Sequence, residues 1–484
     1  MKPLVVLIQP LTNIFDSGKK SPTLPLALLS AARRLADDCR IRLVDLRRNR
    51  TWRAALAEAL REPPVCIGVT SITGNQLFSA LEATRRAREL SAAPIVWGGV
   101  HATLFPEQAL AEPAIDFVVR REGEATFAEL VRCLADGGDP AAVRGLSWRR
   151  DGAVVHNPER PIVELDEEPE IPYHVFPGKP VFLTEGQPTL YFETARGCPS
   201  RCAYCYNAVV HHSHWRAQSA ETVLARVDWI RANLPEVQRL SIVDDNYVHD
   251  LDRVRRIADG LIGRGAPFAY QIQGAHVRTT CGLSDADLRL LRRSGCVRVD
   301  MGVESGSPPI VRALCKPVDL DDVRALNRRL IQADIRPWYN FMVGFPDETD
   351  ADVDATRTLM MQLTAENRRA LVSPWYQFVP YPGTALFDVA VQRGYRPPAT
   401  LAGWRDHHAG AARAPWLDER RRRENRILYF LSIFVDAKIE QYDANLIIRL
   451  LARCYRPIAR FRMKRRCFGL LLEAAVFRRL FDIS

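Results

Sequence analysis

Cys198-Pro-Ser-Arg-Cys202-Ala-Tyr-Cys205 places three thiols within eight residues, directly after the apolar run that starts at Thr189. Thiolates grouped this tightly hold either zinc or an iron–sulfur cluster. Structural zinc takes four ligands, usually from two paired knuckles. Here only His211, His212 and His214 stand nearby to complete such a set. Three thiolates from one short loop can instead ligate three irons of a [4Fe-4S] cluster, leaving the fourth iron open to a substrate or cofactor. A zinc-stabilised binding protein and an iron–sulfur enzyme therefore both stand at this point. The other eight of the 11 cysteines, at 39, 66, 133, 281, 296, 315, 454 and 467, form no second cluster. An odd number at irregular spacing argues against a disulfide framework, so these are reduced thiols, with Cys66 in an apolar run reading as core.

The elements that must position this loop follow from periodicity. The chain has 484 residues, 47% hydrophobic and 26% charged, enough for two to four globular domains. Over the first 135 residues, apolar runs at 3–9, 41–46, 65–71, 94–99 and 116–120 alternate with amphipathic helical patterns. That order predicts an α/β region, a Rossmann-like parallel sheet with helices on both faces. Such sheets bind ligands beyond the carboxyl ends of their strands. The candidate loops there are 70–74, 98–101 and 122–124. After Leu146 a hairpin at Asp151-Gly152 leads into an extended, Pro-rich and acidic linker. A second alternation, with strands at 189–197, 239–246, 268–274, 297–306, 339–346 and 373–383, suits a partial (β/α)6 barrel whose site lies at the strand C-termini. The last 80 residues read as helices. The expected domains are 1–140, a hairpin and linker at 141–186, a barrel at 187–400 and a helical region at 401–484.

A Cys-x3-Cys-x2-Cys loop at the end of the first barrel strand, with Tyr204 before the third cysteine, resembles the radical S-adenosylmethionine (SAM) superfamily. The resemblance implies that the open iron chelates the amino and carboxylate groups of SAM. Electron transfer then cleaves the sulfonium to methionine and a 5'-deoxyadenosyl radical. It further implies a SAM site built from Tyr204, Asp244 and Asp245 after the second strand, Arg278 after the third, Glu304 and Ser305 in the Gly302–Gly306 segment, and Gly344 after the fifth. The segment Pro380–Thr384 matches the end of strand six.

The region ahead of the barrel resembles the cobalamin-binding domain of the cobalamin-dependent branch, through Pro25–Leu28, Gly98–Thr103 with Pro106 and Glu107, and Glu122–Thr126. The likeness covers roughly the first 390 residues. It implies cobalamin contacts from Ser71, Ile72, Thr73, Gly74, Gly98, Gly99, His101, Glu122, Gly123 and Glu124, where small residues let backbone amides approach the ligand. The Asp-x-His-x-x-Gly signature of histidine-ligated cobalamin is absent from residues 1–135, so cobalt is expected without a protein histidine. His101 reads as a loop histidine bonded to backbone or to the ligand's periphery. The implied activity is a cobalamin-dependent methyltransferase acting on an unactivated carbon, or phosphorus, of a specialised metabolite or lipid. Cyclisation, rearrangement or oxidation on the same cofactors is the alternative. The implied electron source is an external donor such as flavodoxin or ferredoxin.

Charge locates one further feature. Lys plus Arg at 67 against Asp plus Glu at 57 gives +10, concentrated in the last 70 residues, where 418–426 alone holds five arginines. No recognition helix or RNA-binding signature accompanies it, so nucleic acid is not expected. The remaining readings are a solvated helix face, an anionic substrate or a membrane surface. The C-terminal helices, with Leu428–Phe434 and Leu446–Leu451 as apolar segments, are expected to cover the barrel mouth, with peripheral attachment to an anionic membrane as the competing reading. Trp338, Tyr339, Trp375 and Tyr376 are candidates for the mouth, against aromatic core packing. The N-terminal apolar run ends at Pro10 with no cleavage site, which reads as a buried strand of a cytoplasmic protein.

Overall fold

The computed structural model describes residues 2–12, 22–48, 51–316, 318–406, 414–441 and 446–468, without side chains for 440–448. Contacts divide the chain into two units, Met1–Pro180 with Arg396–His408, and Val181–Tyr395 with Ala409–Ser484.

In the first unit, β1 (Leu4–Gln9), β2 (Arg40–Asp45), β3 (Cys66–Thr70), β4 (Ile95–Gly98) and β5 (Phe117–Val119) form a parallel sheet in the order β2-β1-β3-β4-β5. Strand order reverses between β1 and β3, which creates the crevice where such sheets take ligands. Alternation along β1 feeds two cores: Leu4, Val6 and Ile8 join Trp52, Leu77 and Trp97 on one face, while Val5 and Leu7 join Leu28, Phe127 and Leu130 on the other. Both faces are therefore covered by helices. The expected hairpin, β6 (Leu146–Arg150) and β7 (Ala153–His156), turns through Asp151 and Gly152, both at positive φ. Its β6 pairs antiparallel with β5 and so extends the sheet to seven strands.

The boundary expected at residue 401 lies elsewhere. Leu401 and Trp404 are built into the first unit's core. Trp404 Nε1 donates to Gln108 Oε1 at 2.7 Å, and Gln108 Nε2 donates to the Pro398 carbonyl at 2.7 Å. A large indole fills a gap in that core, and nothing in the local sequence identifies its partner.

The second unit contains β8 (Phe182–Thr184), β9 (Gln187–Phe192), a small antiparallel ribbon of β10 (Ala195–Arg196) and β11 (Arg216–Ala217), then β12 (Arg239–Ile242), β13 (Ala269–His276), β14 (Cys296–Glu304), β15 (Arg336–Val343), β16 (Leu371–Val372) and β17 (Tyr376–Gln377). The sheet runs β16-β15-β14-β13-β12-β9-β8, with β17 also on β15. All neighbours are parallel except the β8–β9 pair. The result is a curled half barrel. The expected sixth strand is split into β16 and β17.

The C-terminal helices seal the last-strand edge. In the helix Glu419–Ile433, Ser432 Oγ accepts the Trp375 N–H at 2.9 Å, and Asp436 Oδ2, just beyond it, accepts that of Val372 at 2.7 Å. An edge strand's open N–H groups thus find side-chain acceptors. The helix Leu446–Arg465 buries Ala452, Tyr455, Ala459 and Met463 on one face. The side chains of Leu446–Ile448 lie outside the described residues. Tyr339 and Trp375, read as candidates for the mouth, are fully buried core residues. Among the described residues no helix is long and apolar enough to cross a membrane.

Candidate active site

The cysteine loop is pinned at its base. The β10–β11 ribbon brackets it, and Gly197, at φ +80°, leaves the ribbon so close to the returning strand that a Cβ would lie 1.9 Å from the His214 carbonyl oxygen. Only glycine fits. Asp245 Oδ2 accepts the Gly197 N–H at 2.7 Å, and Asp244 accepts the Thr194 N–H at 2.6 Å and its hydroxyl at 2.5 Å. These two aspartates, expected to face SAM, hold the strand end and the loop, because β9 leaves N–H groups free where its ladder stops. Burial pushes the Asp244 carboxyl up to about 6, against its Thr194 hydrogen bonds. The loop's middle is clamped as well: the Ala203 N–H donates to the Leu314 carbonyl at 2.9 Å, and the Ala203 carbonyl accepts the Leu386 N–H at 2.8 Å.

Cys198 and Cys202 are buried and Cys205 is half-buried. Among the described residues the donors are not drawn into a closed metal-ion group, yet each thiol lies within the electrostatic reach of the other two. Burial raises the Cys202 thiol and pushes that of Cys205 up to about 12. Binding iron would therefore release protons as thiolates form. Three sulfur donors on one rigid loop fit three cluster irons.

Beside the loop stands a buried ionic node. Glu304 Oε1 accepts the Tyr204 hydroxyl at 2.8 Å and the Lys316 ammonium at 3.0 Å, and Lys316 Nζ also lies 3.2 Å from the Tyr204 oxygen. Burial opposes the Lys316 charge, but Glu304 and the thiols of Cys202 and Cys205 outweigh it and hold the ammonium above an ordinary lysine. Glu304 sits at φ +67°, and at Gly302 a Cβ would meet its carboxylate at 2.0 Å. The sequence reading missed Lys316, whose only signal was its place just after the fourth-strand loop. It also missed His276, at the end of β13, whose Nε2 lies 4.0 Å from Cys202 Sγ.

The other expected SAM residues divide. Ser305 is fully buried, bonded to the Thr356 hydroxyl at 2.9 Å and to the Ser307 N–H at 3.1 Å, so it braces the helix Asp350–Glu366. Gly344, at φ +84°, donates its N–H to Glu348 at 2.6 Å and accepts the Trp416 indole at 3.0 Å. Arg278 is exposed on the short helix Val277–Cys281 beyond β13.

In the first unit, the loops after β3 and β4 are stitched together at the strand ends. Ser71 donates its N–H and its hydroxyl to the Gly98 carbonyl, both at 2.8 Å, and its own carbonyl accepts the His101 N–H at 3.2 Å. Gly99, at φ +93°, passes so near that a Cβ would lie 2.6 Å from the Ser71 carbonyl oxygen. Ile72 is exposed at the crest of its loop, Thr73 is half-buried, and Gly74, at φ +108°, opens the helix Asn75–Leu90. These close backbone approaches suit a cradle for a bulky ligand. His101, also expected among the contacts, is bonded to these loops but turns its ring into the core. The ring is fully buried between Phe105, 5.0 Å away, and Trp404, 5.4 Å away, with Nδ1 3.1 Å from the Thr73 hydroxyl. Burial drives it down to about 3, so the imidazole is neutral. Of the third loop, Glu122 is half-buried, Gly123 caps the helix Glu124–Ala135, and Glu124 is buried against the Ser30 hydroxyl at 2.7 Å.

Two family models match the chain. The radical SAM superfamily model matches residues 192–360, and the B12 binding domain model matches residues 12–131. An uncharacterized methyltransferase of Pyrococcus horikoshii is 28% identical over 382 residues, 77% of this chain and 79% of that protein. An anaerobic magnesium-protoporphyrin IX monomethyl ester cyclase of Synechocystis is 26% identical over 269 residues, 55% of this chain and 53% of its own length. The structure of the radical S-adenosylmethionine methyltransferase TsrM from Kitasatospora setae, with cobalamin and a [4Fe-4S] cluster bound, shares the fold. Its TM-score is 0.71 at 16% identity, covering 96% of this chain and all of that one.

Proposed function

We propose that the chain is a cobalamin-dependent radical SAM methyltransferase acting on an unactivated centre of a small molecule or lipid, a reading supported by the radical SAM superfamily model over residues 192–360 and the B12 binding domain model over residues 12–131. The observation that carries this reading is the clamped three-cysteine loop at the strand ends of the half barrel, in one chain with a switch-point sheet whose loops approach at glycine distance.

When bound, the [4Fe-4S] cluster and SAM supply a 5'-deoxyadenosyl radical, and cobalamin supplies the methyl group. The protein's own residues provide order and dryness. Cys198, Cys202 and Cys205 hold the cluster, while Asp244, Asp245 and the Ala203 backbone keep their loop from shifting. Lys316 neutralises Glu304 and fixes the Tyr204 ring beside the thiols, so that a ligand there meets a preorganised polar wall. Ser71, Gly98 and Gly99 would form the rigid floor of the cobalamin loops, and His101, sealed in the core, is not offered to the ligand. The electron comes from a donor of the flavodoxin or ferredoxin type in the cytoplasm.

Anaerobic reconstitution with iron, sulfide, SAM and hydroxocobalamin tests the reading. The expected products are 5'-deoxyadenosine, S-adenosylhomocysteine and a methylated substrate. The similarity to a cyclase supports a second reading, in which deoxyadenosine forms without S-adenosylhomocysteine and the product gains a ring instead of a methyl group.

A further inference from the structure

We propose that His276 donates an N–H···S hydrogen bond to Cys202 and thereby raises the reduction potential of the cluster held by the cysteine loop; this rests on the reading above. His276 ends β13, and its position is fixed from several sides. Its backbone N–H donates to Asn246 Oδ1 at 3.2 Å, and its carbonyl accepts the hydroxyls of Thr279 at 2.8 Å and Thr280 at 3.1 Å. The ring caps the next helix, with Nδ1 accepting the Arg278 backbone N–H at 3.3 Å.

That acceptor role decides where the ring proton lies. Only an imidazole nitrogen with a free lone pair accepts a hydrogen bond, so Nδ1 is bare and the proton is on Nε2. Nε2 faces Cys202 Sγ at 4.0 Å, at the long end of N–H···S contacts, and the ring is only 8% exposed. The helix cap and the strand end together prevent the ring from swinging away.

A donor to a cluster thiolate acts on electron transfer. One-electron reduction adds one negative charge to the cluster, so a fixed N–H dipole directed at sulfur stabilises the reduced state more than the oxidised one. His276 therefore works through Cys202, as a positioning residue that tunes the cluster, and touches neither SAM nor substrate in this role.

The test uses the full chain, reconstituted with iron and sulfide, with the midpoint potential read by electron paramagnetic resonance titration in the absence of SAM. His276→Phe keeps bulk and removes the donor. His276→Gln keeps an N–H. The expected result is a more negative potential in His276→Phe and an intermediate one in His276→Gln, at wild-type iron and sulfide content. A wild-type potential in the Phe variant overturns the inference alone, whereas absence of any cluster from the wild type overturns the reading beneath it as well. If the Phe variant holds no cluster, protein carrying 15N-labelled histidine decides. A weak 15N coupling to the reduced cluster in the wild type, lost in the His276→Gln protein, supports the hydrogen bond. No coupling, or a strong one from direct iron ligation, refutes it.

Discussion

The two units both present loops at the carboxyl ends of parallel strands, but they prepare those loops differently. In the half barrel the strand ends present distinctive side chains: three thiols on a backbone-clamped loop, and a buried lysine, glutamate and tyrosine bonded to one another. In the first sheet the loop ends are shaped by backbone and small residues, and the imidazole of His101 is packed away beside Trp404. A cluster needs specific donor atoms, whereas a large ring-shaped cofactor needs mainly a surface that fits it. Side-chain deletions should therefore act sharply on the second unit, and added bulk should act sharply on the first.

The largest effect is expected from Cys202→Ala. It should lose most of the cluster absorbance and bring deoxyadenosine formation below detection, because an iron loses its ligand on a loop with no spare donor. A variant with full iron content and activity would erase the contrast between the units. Next comes Lys316→Met, which leaves Glu304 buried without its cation. Removing one partner of a buried pair costs about 3–5 kcal/mol, so denaturant unfolding should shift by that order, with deoxyadenosine formation strongly reduced. A variant as stable as wild type would show that Glu304 finds water or Tyr204 sufficient.

For the first unit, Gly99→Val should abolish cobalamin retention, read from the visible spectrum after gel filtration, while leaving iron and sulfide content intact. The backbone at φ +93° and the carbonyl 2.6 Å from the new Cβ both oppose the substitution, at about 1–3 kcal/mol for the strain alone. Equal loss of both cofactors would mean that the units do not respond separately. His101→Phe should have the smallest effect. Cobalamin should still bind, and the spectrum of its paramagnetic form should show no histidine nitrogen splitting in wild type or variant.

His101 also has a pH signature. The unfolded chain protonates this imidazole near 6.5, while the folded one resists down to about 3. The stability of the neutral, buried ring is present above the unfolded value and is lost as pH falls through this window, by up to about 1.4 kcal/mol per unit. The slope should flatten in His101→Phe. Parallel pH profiles would argue that the ring is open to solvent.

Much of this was legible in the chain. Five apolar runs separated by helical periodicity specify a parallel sheet, since that spacing leaves no other way to bury both strand faces. The Cys198–Cys205 spacing puts three thiols on one short loop, since residue identity and reach along the chain are local properties. The aspartates at 244 and 245 are read from the sequence as facing SAM, while the partners they hold, Thr194 and Gly197, lie about 50 positions away in the chain. A carboxylate facing a ligand and one capping a strand end look alike in one dimension.

What the sequence determined by itself is the class of each unit and the grouping of three thiols on one loop, because periodicity and close spacing act over a few residues. Only the tertiary structure decided that Lys316 and Glu304 form one ionic node with Tyr204, that His276 turns its Nε2 toward Cys202, and that Trp404 seals His101 into the first core. Those outcomes depend on burial and on contacts between distant segments. A residue's charge and availability are set by the atoms packed around it, which the order of the chain does not state.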